Sequence, residues 1–343
     1  MTATDPTTTT GRTAESPVAL PERGAGPAGV RPRIAVSSCL LGEKVRFNGG
    51  HSRDRFLAGE LDPYVDWVPF CPEIALGLGA PRETLRLENA PEGPHLVTRK
   101  TGRDLTGPMA ALAAERARTL DDVDGYVFKA RSPSCGVHGV PVHSGSAPAG
   151  RRSRGVFAAP IMDAHPLLAV EDEGRLHDPL IRETFVERVF ATARLRALLA
   201  GDWRPRDLVA FHARHKMQIL AHDPDLYREA GRVVARAGTL GRGELAAEYS
   251  RVFRTALARK ASPGRHVNVL QHCAGMLGRA LDRVRRADLA EVIASYAAGL
   301  VPLSVPVALL RHDARGEAAA YVEEQTYFAP FPERLRLRNH IPA

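Results

Sequence analysis

Gly125-Tyr126-Val127-Phe128-Lys129-Ala130-Arg131-Ser132-Pro133-Ser134-Cys135-Gly136 is the stretch on which the fold reading turns. Its first four residues read as a short buried strand, and Pro133 and Gly136 then force a turn. Open α/β sheets bind ligands at the carboxyl ends of their strands, so a cysteine on a tight loop there shows its sulfur to a cleft. A lone cysteine in that setting reads most simply as a small buried hydrophobe. Two further cysteines in the same setting change the balance.

Ile34-Ala35-Val36 is a second strand-like run and leads into Ser37-Ser38-Cys39-Leu40-Leu41-Gly42. A polar loop with two turn glycines follows, Val45 to His51. Trp67-Val68-Pro69-Phe70 ends on Cys71-Pro72-Glu73, and an alanine-rich stretch of helical spacing, Pro108 to Leu120, feeds Gly125. Strand, loop, helix and strand in this order argue a Rossmann-like, mainly parallel α/β layer. Cys39, Cys71 and Cys135 are 32 and 64 residues apart, too far for a local zinc finger or knuckle. A parallel sheet, however, makes neighbours of distant strand ends, so convergence of the three thiols is an expectation of the fold.

This α/β domain is expected over residues 31–165, followed by a linker and connecting helix (Ile181–Leu199) over 166–205. From 206 to 335 the period is helical, with helices expected at Leu208–Leu220, Leu226–Ala237, Leu245–Arg259, Val267–Arg286 and Leu289–Ala298. The expected architecture is therefore α/β followed by all-α. Residues 1–30, rich in Thr, Pro, Ala and Gly, read as a disordered tail with neither signal-peptide nor anchor pattern. No stretch is apolar enough to span a membrane. Four cysteines without an export signal point to the reducing cytoplasm.

The net charge of +8 is unevenly placed: from Gly201 onward there are 22 Lys+Arg against 15 Asp+Glu, and Arg251–Arg286 holds nine basic residues to one acidic. Such a face suits an anionic partner, nucleic acid among them. The solvated surface of arginine-rich helices accounts for it about as well. Lys260, Arg265, His266 and Asn268 make a set suited to gripping a phosphate or a base. His212, His215 and His222 share one helical face, as a metal site or as polar lining between helices. Cys273 sits in a helical pattern and reads as core.

Three converging thiols suit zinc, with His51 or His138 as a fourth ligand, or a four-iron cluster with one iron left open. They also suit a nucleophilic cysteine without metal, and spacing does not separate the three. A zinc- or cluster-stabilised binding module acting on nucleic acid or a protein is accordingly the alternative to an enzyme.

Cys39-Leu-Leu-Gly42, Val45-Arg-Phe-Asn-Gly49, Cys71-Pro-Glu73, Pro81-Arg82 and Ser132-Pro-Ser-Cys-Gly136 together resemble the 2-thiouracil desulfurase family over about residues 31–165. The second half resembles the YbgA-type helical domain through His212-Ala-Arg-His-Lys216, Tyr227-Arg-Glu-Ala-Gly231 and His266-Val-Asn-Val-Leu270-Gln-His272. The resemblance implies a 4Fe–4S cluster on Cys39, Cys71 and Cys135 and a hydrolytic, electron-neutral removal of sulfur from a thiolated base or nucleoside. Ser132 and then Glu73 are the implied proton carriers. Asn48 stands where related sequences often carry aspartate, and it joins the candidate substrate-binding residues.

Overall fold

The computed structural model describes residues 29–341 except 146, 279 and 318, with the backbone alone at 147–149. The expected disordered tail thus lies, but for its last two residues, outside the described residues. Four parallel strands form the first sheet: β1 (Arg33–Ser37), β2 (Asp66–Phe70), β5 (Gly125–Phe128) and β8 (Ala169–Asp172), in the order β2-β1-β5-β8. Between β2 and β5 the chain makes the short helix α1 (Pro72–Ala75), the strands β3 (Leu85–Glu88) and β4 (His95–Thr98), and helix α2 (Thr106–Ala117). β6 (Val140–Ser144), β7 (Ala147–Ser153) and helix α3 (Ala158–Ala164) follow β5. The second sheet, β4-β3-β6-β7, mixes antiparallel and parallel pairs.

All four residues of β5 are buried because the first sheet is covered on both faces, which is why its strands read as continuous apolar runs. Alternation still decides which face each residue joins. Ala35, Tyr126 and Phe128 pack with Met109, Phe157 and Ile161, whereas Ile34, Val36 and Val127 pack with Phe185, Val186 and Val189. The second group belongs to α4 (Pro179–Ala200), capped by Asp178, whose carboxylate accepts from the N–H groups of Leu180 and Ile181. Gly125 is glycine because α4 crosses there: a Cβ would lie 2.5 Å from Val189 Cγ1.

The segment 166–205, expected as linker and helix, is therefore structural. It supplies β8, and α4 serves both halves. Asp124, fully buried at the start of β5, accepts from Arg196 of α4 at 2.9 and 2.8 Å and from the Arg33 backbone at 2.8 Å. Linker composition resembled a loop because β8 is only four residues long.

The remainder is helical: α5 (Pro205–His222), α6 (Pro224–Ala235), α7 (Arg242–Leu257), α8 (Pro263–Leu277), α9 (Arg283–Ala297), α10 (Ser304–Gly316) and the single turn α11 (Ala320–Glu323). Asp223 and Ser262 each cap a helix that begins with proline, the preferred start chemistry. The expected helix Val267–Arg286 is instead two, because the chain breaks after Leu277 and Asp282 caps a new start by accepting from the Arg285 N–H. The C-terminal tail folds back, placing Phe331, Leu335 and Leu337 in the core beside β1 and α4. Among the described residues no helix is long and apolar enough to cross a membrane.

Candidate active site

β1 is central, with β2 on one side and β5 on the other. Ser37 is level with Phe70, and Val36 with Val127, so the three strands end together. Cys39 follows β1 in a single 3-10 turn (Ser38–Leu41), Cys71 follows β2 as the N-cap of α1, and Cys135 follows β5 on the Ser132–Gly136 loop. All three thiols line one cavity of about 340 Å³. The convergence expected from the fold is present.

Burial pushes the Cys39 thiol up to about 11, against the pull of Lys129. Burial, reinforced by the Glu73 carboxylate, pushes Cys71 up to about 12, although the Ile74 N–H favours its thiolate. Burial raises Cys135 well above its ordinary value, and Ser37, hydrogen-bonded to it, pulls the other way. Burial outweighs the nearby positive charges of Lys129, Arg46 and Arg82, so these are thiols at neutral pH; a metal group that bound them would displace their protons.

Ser132 and Glu73 both line the cavity with the cysteines. The Ser132 Oγ accepts from the N–H groups of Ser134 at 3.3 Å and Cys135 at 3.1 Å. Two donors on the oxygen stabilise negative charge there and leave the hydroxyl proton as the group it can give. Glu73 is buried; its Oε2 accepts from Cys71 Sγ at 3.3 Å and lies 3.8 Å from Arg82 Nη2. Arg82 also donates to the carbonyls of Val45 and Gly79 at 2.7 and 2.9 Å, holding the Val45–Gly49 loop over the cavity. Lys129 is paired with Glu173, and Ser37 Oγ accepts its backbone N–H at 3.0 Å.

The Ser132–Gly136 loop is fastened from behind. The Ser134 carbonyl accepts from Phe157 and Ala158 at 3.0 and 3.1 Å, and Gly155 N–H donates to Gly136 at 2.7 Å. Arg131, one of the residues lining the cavity, enters the loop at φ 60°, a left-handed conformation uncommon for a residue with a Cβ.

Other sequence candidates lie elsewhere. Asn48 is exposed and shapes its own loop, its Oδ1 accepting from Gly50 N–H at 3.1 Å. His51 accepts from the Arg53 N–H at 3.2 Å, His138 is exposed, and among the described residues no histidine lines the cavity. Among the described residues, no three His, Cys, Asp or Glu side chains are grouped as the ligands of a single metal ion. Neither His51 nor His138, the candidate fourth ligands for zinc, lines the cavity.

In the helical half, His266 is buried against the Tyr327 hydroxyl at 3.0 Å and is no surface ligand. Arg265 donates to the carbonyls of His222 and Lys260 at 2.6 and 3.3 Å, while the Lys260 side chain is exposed. Asn268 lines a shallow surface groove with Gln271, His272 and Met276. The structure does not bring these four into one grip. His212, His215 and His222 also diverge: His212 meets the Tyr249 hydroxyl at 3.2 Å, while His215 and His222 donate to the carbonyls of Phe211 and Arg259 at 2.8 and 2.6 Å. Cys273 is core, as expected. The sequence reading passed over Ser37 and Lys129, although both adjoin cysteine motifs; their strand-end positions were the available signal.

Fold and site define an α/β protein with a buried three-cysteine cavity at its strand ends, joined to a helical domain. Residues 34–173 match the family described as 2-thiouracil desulfurase, and residues 216–332 match the protein of unknown function DUF1722. The N-terminal region, residues 34–173, thus belongs to the 2-thiouracil desulfurase family and is joined in this chain to a DUF1722 region. It is 30% identical over 156 residues to the uncharacterized protein YbgA of Escherichia coli K12, covering 44% of this chain and 90% of that protein. It is 30% identical over 110 residues to the uncharacterized protein YbbK of Bacillus subtilis 168, covering 30% and 72%. Among solved structures, the [4Fe-4S]-dependent thiouracil desulfidase TudS matches at 28% identity and a TM-score of 0.36, over 43% of this chain and 95% of that one.

Proposed function

We propose that this protein removes sulfur hydrolytically from a thiolated pyrimidine or a related thio-compound, with Cys39, Cys71 and Cys135 holding a 4Fe–4S cluster. The observation that carries the reading is one cavity lined by three thiols, the Ser132 hydroxyl and the Glu73 carboxylate. The donor set fits the cluster: three soft sulfurs come from three separate strand ends, and the remaining cysteine, Cys273, is buried in another core. Bound there, a three-thiolate cluster supplies one iron without a protein ligand, a Lewis acid for soft sulfur.

The conversion exchanges a thiocarbonyl sulfur for the oxygen of water and releases hydrogen sulfide, so no electrons are required. Protons must move. Glu73, buried beside Cys71, is placed to take a proton from the attacking water, and Ser132, with two N–H donors on its oxygen, to give one to the departing sulfur. Lys129 and Arg82 keep positive charge on the cavity wall. Arg46 and Arg131 in the cavity lining, with the basic helical half, suit a base carried on an anionic nucleotide or nucleic acid.

The test is anaerobic purification followed by iron, sulfide and zinc analysis, then sulfide release from thiouracil and from thiolated RNA. About four irons and four sulfides per chain with sulfide release support the reading. Zinc without sulfide sinks it. For the helical half, absence of salt-dependent RNA binding by the full chain removes the nucleic-acid role.

A further inference from the structure

We propose that Phe47 is the stacking platform for the substrate ring: a planar pyrimidine lies on the face of Phe47 that Arg46 does not cover. The inference rests on the desulfuration reading and adds the residue that positions the base.

Two phenylalanines line the cavity, and they are not equivalent. Phe70 is already occupied. Its ring stacks on Phe157 with centroids 5.5 Å apart, and the Arg116 guanidinium lies 4.9 Å from its centroid. Phe47 is 41% exposed, although it belongs to the cavity lining. Ligand pockets are lined mainly by apolar and aromatic side chains, and Phe47 is the aromatic of this lining that keeps ring surface free. The Arg46 guanidinium stands 5.6 Å from the Phe47 centroid, and among the described residues no aromatic ring stacks on it.

The platform is held in place. Arg82 N–H donates to the Phe47 carbonyl at 2.8 Å while its guanidinium holds the Val45 carbonyl at 2.7 Å. Arg46 N–H donates to Gly50 at 3.1 Å and Gly49 N–H to Arg46 at 2.9 Å. The ring is therefore carried on a loop whose backbone is bonded on both sides of it. Arg82 also stands beside Glu73, so one residue links the platform to the candidate proton carrier. Stacking on an aromatic accepts any base, because every base has a π face. Phe47 therefore gives affinity and orientation, and the proton carriers act elsewhere on the ring.

The experiment compares Phe47→Ala, Phe47→Leu and Phe47→Tyr in the full-length, anaerobically loaded protein. With thiouracil as probe, Phe47→Ala is expected to raise KM about tenfold, with kcat little changed and iron and sulfide content as in the parent. Phe47→Tyr should keep the parental KM, and Phe47→Leu should fall between. Equilibrium dialysis of uracil, which needs no turnover, should show the same order of binding. Unchanged KM and unchanged uracil binding in Phe47→Ala overturn the proposal, and so does loss of iron in that variant. If the parent binds thiouracil but releases no sulfide, the desulfuration reading fails and dialysis alone decides the platform. A parent that binds neither compound overturns both.

Discussion

Gly155 lies so close to Ser134 that a Cβ on the glycine would stand 2.2 Å from the Ser134 carbonyl oxygen. That contact locks the third cysteine loop onto the start of α3. The same carbonyl is the acceptor for Phe157 and Ala158, so it has no room to retreat. Gly155→Ala is expected to destabilise the fold by about 1–3 kcal/mol through overpacking and to lower iron uptake, read by urea unfolding and iron analysis. Parental values of both would mean that the contact relaxes freely.

Loss of any one of the three cavity thiols should abolish brown colour. Cys39→Ala, Cys71→Ala and Cys135→Ala each remove one of three donors, whereas Cys273→Ala acts in a separate core and should keep the chromophore. The visible spectrum of anaerobic protein decides it. Full colour in any of the first three would falsify the ligand assignment.

Ser132→Ala removes the proposed proton carrier without touching a thiol. Cluster content should persist while sulfide release falls roughly 100-fold or more, the usual range for a lost acid–base group. Parental turnover in this variant would take Ser132 out of the chemistry.

The Asp124–Arg196 pair joins the two halves. Asp124 is fully buried, and Arg196 is partly exposed. Arg196→Ala leaves a buried carboxylate without its main partner and should cost about 2–4 kcal/mol. Asp124→Asn combined with Arg196→Ala should recover part of that loss. A change below about 0.5 kcal/mol, the range of ordinary surface substitutions, would show that the pair is not a joint of the fold.

Stability should fall on the acid side because of buried histidines. Burial, with Lys216 adding to it, lowers His212 to about 4; burial, then Arg194 and Arg214, lowers His215 to about 3; burial and Arg338 lower His266 to about 3, opposed by Glu187. The unfolded chain takes these protons near pH 6.5. Their contribution is therefore fully present above about pH 6.5 and is lost as pH falls toward 4 and then 3. Urea unfolding at pH 8, 6 and 5 should show this decline, and His215→Gln should flatten it. A pH slope unchanged by that substitution would assign the acid limb to other groups.

The sequence by itself determined the order of strands and helices around each cysteine, because strand runs, turn prolines and glycines act over a few residues. It also determined the helical character of the second half and the core place of Cys273. Only the tertiary structure decided that Cys39, Cys71 and Cys135 share one cavity, since that follows from the order β2-β1-β5 and no local pattern encodes strand order. It likewise separated His266, in the core, from Asn268, on a surface groove, though two residues apart, because helix rotation sets what each faces. The four-residue strand β8 read as linker for the same physical reason: its stability comes from pairing with β5, and that partner lies about forty residues away in the chain.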